Sequence, residues 1–242
     1  MLDRIISEKW LTANGVFGIY PAASSGDDIL VYEDESRSKL RCTFTNLRNQ
    51  DLKEEGIPNL CLADFVAPAE SGLKDYLGAF AVTAGLGVDE KVREFEADHD
   101  DYSAIMIKAL ADRLSEAFTE LVHEQIRKDY WGYAPGEDLS KKDLFREKYS
   151  GIRPAHGYPA CPEHSEKEVL FDLLDARKYG MSLTENYSMV PAASVSGLIF
   201  AHPESRYFFV GKVSREQVED YAGRKGIPVS EAERLLASNL NY

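Results

Sequence analysis

The stretch from Gly151 to His164 reads Gly-Ile-Arg-Pro-Ala-His-Gly-Tyr-Pro-Ala-Cys-Pro-Glu-His, with three prolines and two glycines. Proline fixes φ and removes a backbone donor, so neither a helix interior nor a central strand can run through it. A long helical stretch lies ahead of it and a helix with capping signals follows. The segment is therefore expected to be an ordered connector, holding backbone groups in place while its neighbours carry the stability. Within it, the planar fork of Arg153 suits a carboxylate or phosphate. The ring face of Tyr158 suits a flat group such as adenine, whose edge the loop backbone can read. The alternative is an arginine paired to a carboxylate of its own domain and a tyrosine filling core space. From these residues alone both readings stand.

A chain of 242 residues, 44% hydrophobic and 11% aromatic, can bury a sizeable core. Its 28 basic and 41 acidic residues leave a net charge of −13, which opposes a phosphate-tracking surface. Cys42, Cys61 and Cys161 are far apart, giving no disulfide framework and fitting a reducing compartment. The first ten residues lack the apolar core of a signal peptide, and no run reaches the roughly 20 apolar residues of a membrane span. The expectation is a cytoplasmic protein.

Periodicity predicts α+β organisation in one domain. A short amphipathic helix carries Leu2, Ile5, Ile6 and Trp10, and strands follow over 16–20, 29–32 and 40–45 as an antiparallel meander. Asp64 lies inside the apolar run 60–68, as a site residue or as an anchor for a nearby loop. Residues 76–83 read as a strand with small residues on one face, packed closely under a helix. The region 88–133 is the most helical, with a stripe of Tyr102, Met106, Ala109, Leu110, Leu114, Ala117, Phe118, Leu121 and Ile126 expected to face the core. Asp112, Glu116 and Glu120 recur at four-residue steps and share one flank, which periodicity alone assigns to solvent. A short helix is expected over 141–149. Ser165-x-x-Glu168 reads as a capping box for a helix to Tyr179, closed by Gly180 and an apolar contact from Met181. Residues 195–200 and 207–213 are expected to pair as a hairpin across 202–205. Capping boxes at Ser214 and Ser230 open two last helices.

No phosphate-cradling glycine loop, dinucleotide fingerprint or nucleophile elbow is present. Cys161-Pro-Glu-His164 is half of a metal site without a second pair, so no metal is expected, and a hydrolase built on those two residues is a remote alternative. Ser194 and Ser196 read equally as strand edge or ligand loop.

Arg153-Pro-Ala-His-Gly-Tyr158, followed by Pro-Ala-Cys-Pro-Glu-His164, resembles the Arg-x-x-x-Gly-Tyr loop of cobalamin-dependent methionine synthase, in its C-terminal reactivation domain. The segments 61–68, 109–118, 130–135, 193–197 and 217–221 are similar to that domain too, so the resemblance spans almost all of residues 1–242. It implies a single C-shaped α+β domain with a bent antiparallel sheet flanked by helices. The implied role is repair of the methyltransferase. One electron from flavodoxin or a flavoprotein reductase and a methyl group from S-adenosylmethionine restore methylcobalamin from cob(II)alamin carried by the cobalamin-binding domain.

Mapped onto this sequence, the resemblance implies that Arg153 clamps the methionyl carboxylate while Ala155, Gly157 and Tyr158 line the adenosine. It implies a ligand-facing aromatic pair at Tyr207 and Phe208, with Glu116 facing the site. Asp112 and His164 are implied to face the cobalamin partner. The family's domain begins before the position of Met1, with an acidic residue on the ligand's charged end, so weaker affinity is expected here. The parent enzyme's cobalt, zinc, homocysteine and folate sites lie in other modules, so the chain alone is not expected to make methionine. A non-catalytic module that senses S-adenosylmethionine or docks a partner is the alternative.

Overall fold

Runs of β-branched, aromatic and small residues carry the chain through a five-stranded antiparallel sheet. A computed structural model describes residues 1–242. After helix α1 (Leu2–Glu8) come β1 (Thr12–Ser25), β2 (Asp28–Tyr32), β3 (Leu40–Thr45) and β4 (Asp75–Leu86). Helices α2 (Val88–Ala97), α3 (Asp101–Gln125) and the short α4 (Lys141–Leu144) follow, then α5 (Glu166–Leu174). A two-residue pair, β5 (Ser182–Leu183) and β6 (Met189–Val190), precedes β7 (Ser194–Ile199), and α6 (Arg215–Lys225) and α7 (Val229–Leu235) close the chain. The sheet order is β3-β2-β1-β4-β7. Pro21 interrupts no ladder on the β2 side, because β1 meets β2 only from Ala22 onward. No helix is long and apolar enough to cross a membrane.

Both faces of the interior strand β4 are covered, and its alternation divides the core. Phe80 and Val82 point to one face and meet Val122 and Ile126 at the end of α3. Ala79 and Ala81 point to the other and share a cluster with Leu170, Phe171 and Leu174 of α5. The small residues let α5 sit close, as the sequence indicates. A third cluster joins Val218, Tyr221 and Ala222 of α6 to Ala232 of α7.

Several sequence expectations are corrected. Of the apolar stripe expected to face the core, Ile126 just past α3 does so and Leu110 and Phe118 pack partly against it, but the buried positions within the helix are Ala104, Ile107, Ala111, Ser115, Thr119, Val122 and His123. Small residues there bring the helix backbone close to its neighbours. Leu114, Ala117, Phe118 and Leu121 instead wall an open groove of about 650 Å³ beside Ile5, Ile6 and Leu11. The hairpin over 195–213 does not form. The free edge of β7 is taken by the segment 152–154: Ile152 N–H donates to Phe200 O at 3.1 Å, Phe200 N–H to Ile152 O at 2.9 Å, and Leu198 N–H to Pro154 O at 3.0 Å. Residues 207–210 run without ladder pairing, tied down where Val210 N–H donates to Pro159 O at 2.8 Å.

The helix after Ser165 is shorter than expected, since Asp175 at φ 52° ends α5 and a 3-10 turn (Ala176–Tyr179) runs on to Gly180. Met181 is buried in the main core as expected. Neither the Ser165 nor the Ser230 box forms. The Ser165 amide and hydroxyl are held by the Glu163 carboxylate at 2.6 and 2.7 Å, while Pro228 precedes the first turn of α7. Ser214 does cap α6, accepting from Gln217 N–H. The helix expected over 141–149 ends at Leu144. Asp64 is an anchor: it accepts from Cys61 N–H at 2.8 Å and forks Arg48 at 2.7 and 2.8 Å.

Candidate functional site

The strap along β7 fixes where Arg153 points. Ile152 enters the α5-side core, so alternation turns the neighbouring Arg153 to the α3 side. Gly197 of β7 makes the close approach possible, because a Cβ there would meet the Pro154 carbonyl. On α3 Arg153 meets Glu120 and His123. Its Nη1 donates to Glu120 Oε2 and to His123 Nδ1, each at 3.0 Å, and its Nη2 donates to Glu120 Oε1. The guanidinium also lies 5.3 Å from the centre of the Tyr149 ring. Burial works against the charge of Arg153, but the Glu120 carboxylate together with the Tyr149 and Tyr207 hydroxyls outweighs it and the pKa rises.

Because the arginine donates, His123 Nδ1 must accept, so the ring proton sits on Nε2, 3.4 Å from the Tyr133 hydroxyl. Burial, with Arg127 and Arg153 nearby, holds this imidazole down at about 2, so it stays neutral. Behind it a π-helical turn (Ile126–Tyr130) continues α3, and the wholly buried Arg127 pairs with Glu137 through Nε at 3.0 Å. Tyr207 does not stand on a strand as expected. Its hydroxyl accepts from Arg153 N–H at 3.1 Å and lies 3.2 Å from the Tyr149 hydroxyl, so it braces the strap from outside.

Past Arg153 the chain folds into a tight loop. Tyr158 N–H donates to Ala155 O (3.1 Å), Gly157 N–H to Cys161 O (2.8 Å) and Cys161 N–H to Tyr158 O (2.9 Å). The Cys161 thiol donates to Ala155 O at 3.0 Å, and burial pushes its pKa up, so it is a structural donor here. Gly157 has φ 94°, and a Cβ on it would run into the His164 ring. The amides of Ala155 and His156 and the carbonyls of His156 and Gly157 keep no partner within the chain.

A cleft of about 350 Å³ opens over this loop. Six of the expected ligand residues line it: Glu116, Arg153, Ala155, Tyr158, Tyr207 and Phe208. Gly157 shapes the loop without lining the cleft. Tyr158, against the core-filling alternative, is 65% exposed, and Phe209 stands exposed beside it. The three acids on one flank of α3 divide: Glu116 faces the cleft, Glu120 pairs with Arg153, and Asp112 faces a separate cavity of about 190 Å³ with Asp89 and Lys108. His164 also lies outside the cleft. Its Nδ1 is 2.8 Å from Lys167 Nζ, and burial with that lysine depresses its pKa. No three His, Cys, Asp or Glu side chains gather in metal-binding geometry. Ser194 and Ser196 are strand residues, their hydroxyls spent on Pro191 O and Met189 Sδ.

Sequence reasoning passed over Tyr149, Glu147, Val195 and Phe209 in the cleft wall and His123 behind it, and periodicity left Glu120 on a solvent flank. The spacing of Glu120 and His123, one turn apart on α3, was the available signal, but it had no partner until the strap brought Arg153 against it.

An exposed aromatic rim, one arginine fork and unpaired loop backbone around a cleft of this size suit a small ligand with a flat end and a carboxylate. Residues 1–226 match the family described as vitamin B12 dependent methionine synthase, activation domain. The chain belongs to that family. A solved structure described as the MetH reactivation domain bound to AdoHcy is 56% identical, with a TM-score of 0.97, covering 100% of this chain and 74% of that one. The expected sheet, flanked by helices in a single domain, is therefore the reactivation-domain fold, part of a cobalamin-dependent methyltransferase.

Proposed function

We propose that residues 1–242 bind S-adenosylmethionine in the Arg153 cleft and present its methyl group to cobalamin held by a partner domain. The setting is the flavodoxin-dependent or flavoprotein-dependent reductive reactivation of methionine synthase. The observation that carries this reading is the cleft itself: Arg153 and an aromatic rim, in a chain 56% identical to a domain solved with AdoHcy. The fit to the ligand is chemical. Arg153 takes the carboxylate as a fork. Tyr158 and Phe208 offer ring faces to the adenosine, and the free amides and carbonyls of 155–157 read its edge. The Glu116 carboxylate, on the α3 wall, faces the cationic part.

S-adenosylmethionine supplies an electrophilic methyl group on its sulfonium. The chain's own contribution is orientation: a ligand fixed at both ends has its sulfonium fixed between them. His164 and Asp112, which lie outside the cleft, are proposed to meet the cobalamin partner.

Isothermal titration calorimetry with S-adenosylmethionine tests the reading. Wild type should bind with one site, and Arg153→Ala should lose at least tenfold in affinity, about 1.4 kcal/mol. Absence of binding by wild type, or equal binding by the variant, overturns it. Support of reductive methylation, when the chain is mixed with a cobalamin-domain protein and reduced flavodoxin, tests the presenting role.

A further inference from the structure

Arginine carries five N–H groups, and three of those on Arg153 are spoken for. Two point end-on at the Glu120 carboxylate and one at His123 Nδ1. The two that remain, on Nε and on Nη2, lie along one edge of the guanidinium plane. They form a second fork, of the spacing that receives a carboxylate with two parallel hydrogen bonds. Arg153 lines the cleft, so that edge is the part of the group left for a ligand. The rest is fixed: Glu120 holds the end, His123 the far corner, and the Tyr149 ring lies against it.

We propose that Glu120 is a positioning residue for ligand recognition, holding Arg153 end-on so that its Nε–Nη2 edge is presented to the ligand's carboxylate. The inference rests on the S-adenosylmethionine reading above and adds to it a residue outside the cleft wall. A ligand carboxylate then need not displace Glu120, because the two acids occupy different edges of one guanidinium. Without Glu120 the long arginine side chain regains rotamers, and the ligand must order it on binding. Recognition of the carboxylate end should suffer while recognition of the nucleoside end does not.

The test is calorimetry on the 242-residue chain with two ligands, S-adenosylmethionine and its decarboxylated analogue, for wild type, Glu120→Gln, Arg153→Ala and the double variant. Glutamine keeps the size of the side chain but cannot accept both arginine hydrogen bonds. Glu120→Gln is expected to weaken S-adenosylmethionine about tenfold. It should leave the decarboxylated analogue unchanged, which also certifies that the variant is folded. In the Arg153→Ala background the same change should have no further effect, the signature of a residue acting through its partner. Unchanged or tightened binding by Glu120→Gln, or equal losses for both ligands, overturns the proposal. If wild type fails to bind S-adenosylmethionine, the underlying reading falls as well. If wild type binds, Arg153→Ala does not and Glu120→Gln does, only the role of Glu120 falls.

Discussion

His156 sits in the middle of the ligand loop, buried, with both ring nitrogens lacking a partner within the chain. It stacks on Phe44 with centroids 5.8 Å apart. Burial, with Lys167, Lys225 and His164 around it, holds its pKa down at about 3. A group depressed in the fold lets the unfolded chain take the proton first, so its contribution is present above pH 6.5 and is lost as pH falls toward 3. The difference in unfolding free energy between wild type and His156→Phe should therefore shift by about 1.4 kcal/mol per pH unit below 6.5. Denaturant melts at pH 7, 6, 5 and 4 measure it. A pH-independent difference would show that the ring titrates normally.

At the scale of the element, α3 tests which of its stripes is structural. Ile107 is fully buried, while Leu121 is 49% exposed on the open groove. Ile107→Ala should cost about 2–5 kcal/mol, and Leu121→Ala well under that. Chemical denaturation of the two variants ranks them, and the reverse order would restore the sequence-based stripe. The error has a physical source. Periodicity finds the large apolar residues, but a helix lying close to its neighbours buries Ala104, Ala111, Ser115 and Thr119, which hydropathy undervalues. The strands β1 to β4, the caps at Gly180 and Ser214 and the anchor role of Asp64 were legible because each has a local chemical cause. The strap on β7 was not, because which segment fills a sheet edge depends on contacts distant in sequence. The site followed the same division. Arg153, Ala155, Tyr158, Tyr207, Phe208 and Glu116 line one cleft. Glu120 and His123 emerged only when the strap met α3.

Across the whole molecule, the C-terminal helices are tied to the sheet by charge as well as by their own apolar cluster. Lys225 of α6 pairs with Glu166 at the start of α5 and reaches Glu163 at 3.4 Å, and Arg224 pairs with Asp28 of β2. Burial raises the Glu166 pKa to about 7 against the opposing pull of Lys225. A raised carboxyl favours the folded state below its unfolded value of 4.5, and that contribution is lost as pH rises to 7. Lys225→Ala leaves two buried carboxylates without their cation and should cost about 3–5 kcal/mol near pH 8. The loss should shrink at pH 5.5, where Glu166 takes a proton and needs no counter-charge. Thermal melts at both pH values decide it, and a loss equal at both would show that Glu166 stays ionised.

The strap at 152–154 also gives the domain a safeguard. A bare β7 would present a row of open amides and carbonyls, the surface on which chains recruit one another into aggregates. The same few residues that aim Arg153 close that row at its Leu198 and Phe200 end. Solubility and ligand recognition are thus not separately adjustable: damage that lets the strap lift away removes the arginine from its place and leaves the molecule sticky in one event.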